Sequence, residues 1–291
     1  MNTLRADFAI TELCEALEVS RSGYCVRKKR PPSPRQRAND QLLDQMKAIH
    51  AHRHTRVYGS PRMTQELHQA GHRCSKNRVA RLMRKNGLRA RARRPFRPKT
   101  TSPDHAACPS PNLLAAAGTP SAPAQQLVGD ITYIPTSEGW LYLAVVIDRF
   151  TRTVLGWKLS RSLQSNLVIA ALDKAVATGL VQKNALFHSD RGCQYTARAF
   201  RSRLKTAGLI QSMSAKGYCY DNAFAESFFA SFKNEALPED GSFQTHSAAS
   251  TAIFDYIECF YNRRRLHTSL GGISPLTFLI RFFQNQNPSL N

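Results

Sequence analysis

The chain has 291 residues, with 41 Lys+Arg against 20 Asp+Glu and a formal net charge of +21. A hydrophobic share of 42% and an aromatic share of 9% are those of a folded protein with a large core and room for a smaller module, so disorder is excluded as its main state. Apolar stretches such as 141–147 fall far short of the ~18 residues of a membrane span, and the amino terminus MNTLRADFAITELCE does not read as a signal peptide. Seven cysteines without a CxxC pair read as reduced thiols, and the expectation is a soluble, cytoplasmic protein.

Residues 1–129 carry 24 Lys+Arg and 8 Asp+Glu, a net of +16, whereas residues 130–291 carry 17 and 12, a net of +5. Basicity is therefore an amino-terminal property, the footprint expected for binding a phosphate backbone. In chain order, the segment 10–24 (ITELCEALEVSRSGY) has a helix-turn outline and runs into Arg27-Lys28-Lys29-Arg30. Ser60-Pro61 reads as N-cap and first helical position of RMTQELHQA, Gly71 stops that helix, and Ser75 caps KNRVARLMRKN, which ends at Gly87. Val79, Leu82 and Met83 give the second helix one apolar face, while Lys76, Arg78, Arg81, Arg84 and Lys85 load the rest with cations, as a recognition helix requires. The bland alternative is a pair of helical hairpins with solvated basic faces. Seven of the fifteen prolines then fall between Arg94 and Gln125, marking a linker or a draped strap. The expected division is 1–92 as a basic helix-turn-helix region, 93–125 as linker, 126–236 as catalytic core and 237–291 as its helical carboxy-terminal arm.

After the linker the period changes. Residues 127–134 (LVGDITYI), 140–147 (WLYLAVVI) and 153–159 (TVLGWKL) read as an antiparallel meander. A helix near 166–178, a strand 185–188, a helix 197–207, a strand 209–213 and a helix 222–234 follow, predicting a mixed α/β sheet with helices on its faces. Three carboxylates stand out in that outline. Asp130 lies inside an apolar strand, where a lone ionised group is costly unless paired or metal-bound. Asp190 directly follows a strand in HSDRG, and Glu226 sits on the last helix with Ala230 and Lys233, opposite Phe224, Phe228 and Phe232. Converging, the three would hold one or two Mg²⁺ ions, with Mn²⁺ as a substitute, for phosphoryl transfer. His188, Gln194 and Asn222 are their neutral companions, expected to orient the substrate. Each motif alone also has a structural reading, Asp190-Arg191-Gly192 as a turn and Asp221-Asn222 as a helix cap. Asp148 and Asp221 are assigned to turn and cap roles.

The succession DITYI, GWLYLAVVIDRFTR, HSDRGCQY, GYCYDNAFAESFF and YNRRRLHTSLGGISP resembles the second-frame transposases of the insertion-sequence-three family. Asp190 and Glu226 are 36 positions apart, the family's spacing. The resemblance runs over essentially the whole chain, with Leu127 standing where an aromatic residue is usual. It implies a ribonuclease-H-like, integrase-type core preceded by an all-α helix-turn-helix region, with Asp130, Asp190 and Glu226 as the metal-holding triad of a bacterial, nucleoid-associated DNA strand transferase. It further implies that Lys233 meets DNA near the scissile phosphate, and it favours DNA contacts for Arg263 and Arg265. The implied partners are terminal inverted repeats, target DNA, a first-frame protein of the same element and further copies of the chain. Rival readings are a repressor that keeps only the helix-turn-helix and a ribonuclease-H-type nuclease; product analysis separates them.

Overall fold

The structure is a computed structural model that describes residues 8–91, 109–114, 116–215 and 223–286. Contacts divide the chain into two compact units, Met1–Ala48 and Ile49–Asn291. In the first, α1 (Ile10–Ala16) and α2 (Arg21–Lys29) form a short pair, and Ser20 caps α2 by accepting a hydrogen bond from the Gly23 amide. α3 (Pro34–Ala51) opens with Pro34 after Ser33, whose hydroxyl accepts from the Gln36 amide. No helix among the described residues is long and apolar enough to cross a membrane.

The second unit begins with the helix-turn-helix. α4 (Ser60–Gln69) and α5 (Lys76–Lys85) are separated by a turn in which Gly71 takes φ +84°, a value open to glycine at little cost. Ser75 caps α5 as expected, accepting from the Arg78 amide at 3.3 Å. The cap of α4 is Gly59 rather than Ser60: the Gly59 carbonyl takes the first intrahelical bond, from the Met63 amide, so Ser60 is already helical. Val79, Leu82 and Met83 are the buried face of α5.

The core is one five-stranded mixed sheet of order β3-β2-β1-β4-β5, the arrangement of a ribonuclease-H-like fold. Strands β1 (Gln126–Thr136), β2 (Gly139–Asp148) and β3 (Val154–Ser160) are the predicted antiparallel meander. β4 (Leu186–Ser189) and β5 (Ile210–Met213) add in parallel. β2 reads as a near-continuous apolar run because both of its faces are covered. On one face, Ala144 and Val146 pack with α6 (Ser165–Ala177), the one-turn α7 (Cys193–Thr196) and α8 (Arg198–Thr206). On the other, Leu143, Val145 and Ile147 pack with α9 (Ala223–Glu235), α10 (His246–Phe254) and the π-helical turn Asp255–Tyr261 that extends it. α11 (Pro275–Gln286) closes the described chain.

Glycine lets two of these layers approach. A Cβ on Gly156 would sit 2.2 Å from the Ala171 carbonyl oxygen, so α6 crosses β3 directly over the glycine backbone. A Cβ on Gly129 would lie 2.4 Å from the Phe187 ring, which spreads across β1 just before Asp130. Leu127, in the place of the family's aromatic, is fully buried in the α6 layer.

The described part of the proline-rich stretch is docked. Pro111 accepts from the Met213 amide, the Leu113 and Leu114 amides donate to Ser212 Oγ, and Leu114 is buried. Edge strand β5 thereby gains a cover, which satisfies part of its open ladder. Residues 92–108 lie outside the described residues.

Candidate active site

The parallel register of β1 and β4 sets up the site. Leu127 faces Phe187 and Val128 faces His188; continuing that register by two residues brings Asp130, in the middle of β1, beside Asp190, just past the carboxyl end of β4. Alternation along β1 puts Asp130 on the face of Val128 and Ile134, the face that α9 covers. α9 buries Ala225, Phe228, Phe229 and Phe232 and leaves Glu226 exposed, so the predicted division of that helix holds. Phe224 is half-buried at the edge of the same core.

Electrostatics tie the four groups together. Burial, then the Asp190 and Glu226 charges, push the Asp130 carboxyl up to about 8, against the pull of a 2.8 Å hydrogen bond from the Ile131 amide and of Lys233. Burial raises Asp190, whose Oδ1 accepts from the Gly192 amide at 3.0 Å. Burial lowers the Lys233 ammonium while Asp130 pulls it back up. Tyr195, buried on α7, is raised well above its ordinary value by burial and then by Asp130 and Asp190. Among the described residues none of the three carboxylates forms an ion pair, and no three His, Cys, Asp or Glu side chains are already closed around one point at metal-ligand distance. An all-oxygen carboxylate set is nonetheless the donor chemistry of Mg²⁺ or Mn²⁺.

The neutral companions behave differently from expectation. His188 is fully buried, with Nδ1 at 2.9 Å from Ser212 Oγ and Nε2 at 3.1 Å from Ser214 Oγ, so it braces β4 against β5 instead of facing substrate. Gln194 spends its amide on the Leu163 carbonyl at 3.0 Å and is nearly buried, tying α7 to the loop before α6. Asn222 and Asp221 lie outside the described residues. Asp148 is a turn organiser, as expected: Oδ1 accepts from the Ala124 and Phe150 amides, and Oδ2 from the Thr151 amide and hydroxyl.

Of the expected DNA contacts, Lys76, Arg81, Arg84 and Lys85 are exposed on α5 and Arg78 is half-buried. Arg263 is exposed and donates Nε–H to the Glu258 carbonyl. Arg265 departs from expectation, because its guanidinium is buried and engaged by Glu235, with Nε to Oε2 at 2.7 Å and Nη2 to Oε1 at 2.8 Å. Glu235 also accepts from Tyr256 Oη at 2.7 Å and from Arg62 Nη1 at 3.2 Å. This hub joins α4, α9 and the carboxy-terminal arm, and sequence reasoning missed it. One signal was available, since Glu235 continues the buried row Phe228–Phe232 at helical spacing.

His267, beside Arg265, is pushed down to about 3 by burial and then by Arg265, Arg62 and Arg152. The folded imidazole therefore stays neutral while the unfolded one, with its ordinary value of 6.5, takes up a proton as pH falls. Its contribution to stability is fully present above pH ~6.5 and is lost progressively as pH drops toward ~3. Between pH 7 and 5.5 this amounts to about 1 kcal/mol. Urea midpoints measured across that range are expected to fall less steeply in His267→Gln than in the native chain; parallel profiles would contradict the assignment.

Residues 120–219 match the family described as "Integrase core domain", residues 226–281 match a second so described, and residues 37–96 match "HTH-like domain". The chain is 42% identical over 277 residues to "Transposase InsF for insertion sequence IS3A" of Escherichia coli (strain K12), covering 94% of this chain and 95% of that one. The chain belongs to the IS3 family of transposases. A second relative, "Insertion element IS600 uncharacterized 31 kDa protein" of Shigella sonnei, is 39% identical over 94% of this chain and 99% of its own. Among solved structures, the HTLV-2 integrase catalytic core domain in complex with magnesium (trimeric form) aligns with a TM-score of 0.41 at 16% identity, over 54% of this chain and 97% of that one. As an IS3-family transposase the chain is a DDE-type polynucleotidyl transferase carrying an HTH-like DNA-binding domain. That domain begins within α3, a helix the sequence reading did not assign although Ser33-Pro34 announces it.

Proposed function

We propose that Asp130, Asp190 and Glu226 are the catalytic triad of this transposase and that it nicks the ends of its element and joins the exposed 3′-hydroxyl to new DNA. The observation that carries the reading is the β1–β4 register that sets Asp130 beside Asp190, with both Asp190 and Glu226 raising the Asp130 carboxyl. Like-charged carboxylates gathered from two adjacent strands and a helix have little structural use, and a divalent cation is what they suit. Asp130, Asp190 and Glu226 would hold one or two Mg²⁺, or Mn²⁺ in substitution. Bound there, the metal supplies Lewis-acid stabilisation of a phosphoryl group and activation of the attacking oxygen.

The protein's own groups do the rest. Lys233, held near Asp130 by α9, offers a cation to a phosphate beside the reacting one. The exposed cations of α5, namely Lys76, Arg81, Arg84 and Lys85, together with Arg78, grip duplex DNA at the terminal inverted repeats, and Arg263 adds a surface contact. The proposed working assembly contains further copies of the chain on paired ends and the first-frame protein of the element, in the cytoplasm.

The test is incubation of purified chain, with and without the first-frame protein, with Mg²⁺ and labelled duplexes carrying the element's ends. Joined 3′-ends are the expected product. Cleavage without joining would make it a nuclease, and end binding without either would leave a repressor.

A pH dependence follows from Asp130. A carboxyl held near 8 must lose its proton to ligate a cation, so Mn²⁺ affinity is expected to rise by up to about tenfold per pH unit from 6 toward 8. Isothermal titration in buffers of different ionisation enthalpy reads both the affinity and the released proton. A flat profile with no proton release would place the cation elsewhere.

A further inference from the structure

On the flank of α9 next to Glu226, a cavity of about 280 Å³ is lined by Arg62, Arg152, Arg265, Ser227, Ser231 and His267, with Ile147 and Phe224 among its walls. Three guanidinium groups line it without a lining carboxylate, and Glu235, outside the lining, serves two of them, Arg62 and Arg265. Arg152 is the surplus charge. It makes no ion pair among the described residues, and its buried Nε has no hydrogen-bond partner. Its backbone sits at φ +65°, a conformation that L side chains avoid, and this turn lays the guanidinium 3.9 Å over the Phe224 ring. A strained residue presenting an unsatisfied buried donor marks a ligand site more than a structural one. Ser227 and Ser231 bring hydroxyls to the same cavity.

We infer that this cavity holds one backbone phosphate of bound DNA, at a position separate from the reacting phosphate. The chemistry is that of a phosphoryl anion, since a planar guanidinium with hydroxyl neighbours suits its oxygens. The volume, about 280 Å³, is at the small end of ligand pockets and has room for a phosphodiester group. Ala223, Ser227 and Ser231 form one row on α9, and Glu226, Ala230 and Lys233 form the adjacent row. The two sites are thus on one helix, within its ~10–12 Å breadth, which is about three nucleotides of a strand. The assignment to DNA rests on the transposase reading above; the anion site itself does not.

The experiment uses the full chain in EDTA, so no strand chemistry occurs. Fluorescence anisotropy with a 30-base-pair duplex across a KCl series gives the salt slope, and ³¹P NMR line broadening reports inorganic phosphate. Arg152→Gly is the chosen variant because glycine accepts φ +65°, and Arg152→Gln reads the same quantities with a side chain retained. Each variant is expected to flatten the slope of log K against log salt by about 0.9 and to abolish the broadening, with the protein remaining folded at the assay temperature. Loss of broadening with an unchanged slope would make this a free-anion site and overturn the DNA assignment. No change in either would overturn the site altogether. Failure of strand joining in Mg²⁺ would sink the transposition chemistry and leave these readings standing.

Discussion

Glu226→Gln is expected to cut strand joining by about 10³-fold or more while leaving duplex affinity within about twofold of native. The two side chains are isosteric, and Glu226 is exposed on a helix whose anchoring face is Phe228, Phe229 and Phe232, so the fold should be indifferent to the exchange. What changes is charge. Glu226 raises the Asp130 carboxyl in the absence of a cation, and the neutral amide removes that push. The variant should therefore show a lower Asp130 titration together with weaker Mn²⁺ binding, a pairing that a merely misfolded protein would not produce. Joining at more than a tenth of the native rate would refute Glu226 as a catalytic ligand. Asp148 is the instructive contrast: it is another carboxylate of the same sheet, yet four donors occupy its oxygens, so it is committed to the turn that follows β2.

What the sequence disclosed, and what it concealed, follows from the range of the interactions involved. β1, β2 and β3 were legible because alternation, β-branching and turn residues are local. The same holds for α5, whose Ser75 cap and apolar row of Val79, Leu82 and Met83 lie within a dozen residues. Ser60 misled by one position because a Ser-Pro pair fits both the cap and the first turn, and only the Gly59 carbonyl bond decides between them. His188 and Gln194 misled for a different reason. They stand beside Asp190 in sequence, but His188 lies directly across from Ser212 in the β4–β5 register and α7 turns Gln194 toward the loop before α6, so Ser212, Ser214 and the Leu163 carbonyl claim them. Arg265 and Glu235 were invisible as a pair because 30 residues separate them, and an arginine in an RRR run looks solvated until its partner is known. Arg152 carried no local sign at all: its significance comes from Phe224, Arg62 and Tyr261, which approach from three different elements.

Glu235→Ala should be the most destabilising single change in the hub, by about 3–5 kcal/mol. The carboxylate is buried and accepts four hydrogen bonds, two of them from the Arg265 fork, which is itself buried. Burial pushes the Arg265 guanidinium down, but Glu235 more than reverses this and holds it charged. Removing Glu235 thus strands the Arg265 cation in the core, whereas removing both partners leaves no buried charge there and orphans only the Tyr256 hydroxyl and the half-exposed Arg62. Urea unfolding should accordingly place Glu235→Leu/Arg265→Met much closer to the native chain than Glu235→Ala, and a loss below about 1 kcal/mol in the single variant would show that water reaches the hub. The consequence extends beyond stability. Arg62 on α4 reaches Glu235, and Arg91 donates to the carbonyls of Asn234, Leu237 and Pro238 just beyond it. The helix that presents Glu226 is therefore held at its far end by the helix-turn-helix region. Loosening Glu235 should reduce strand joining by more than the unfolded fraction accounts for, because a DNA end gripped by α5 would then reach the carboxylates less often in register.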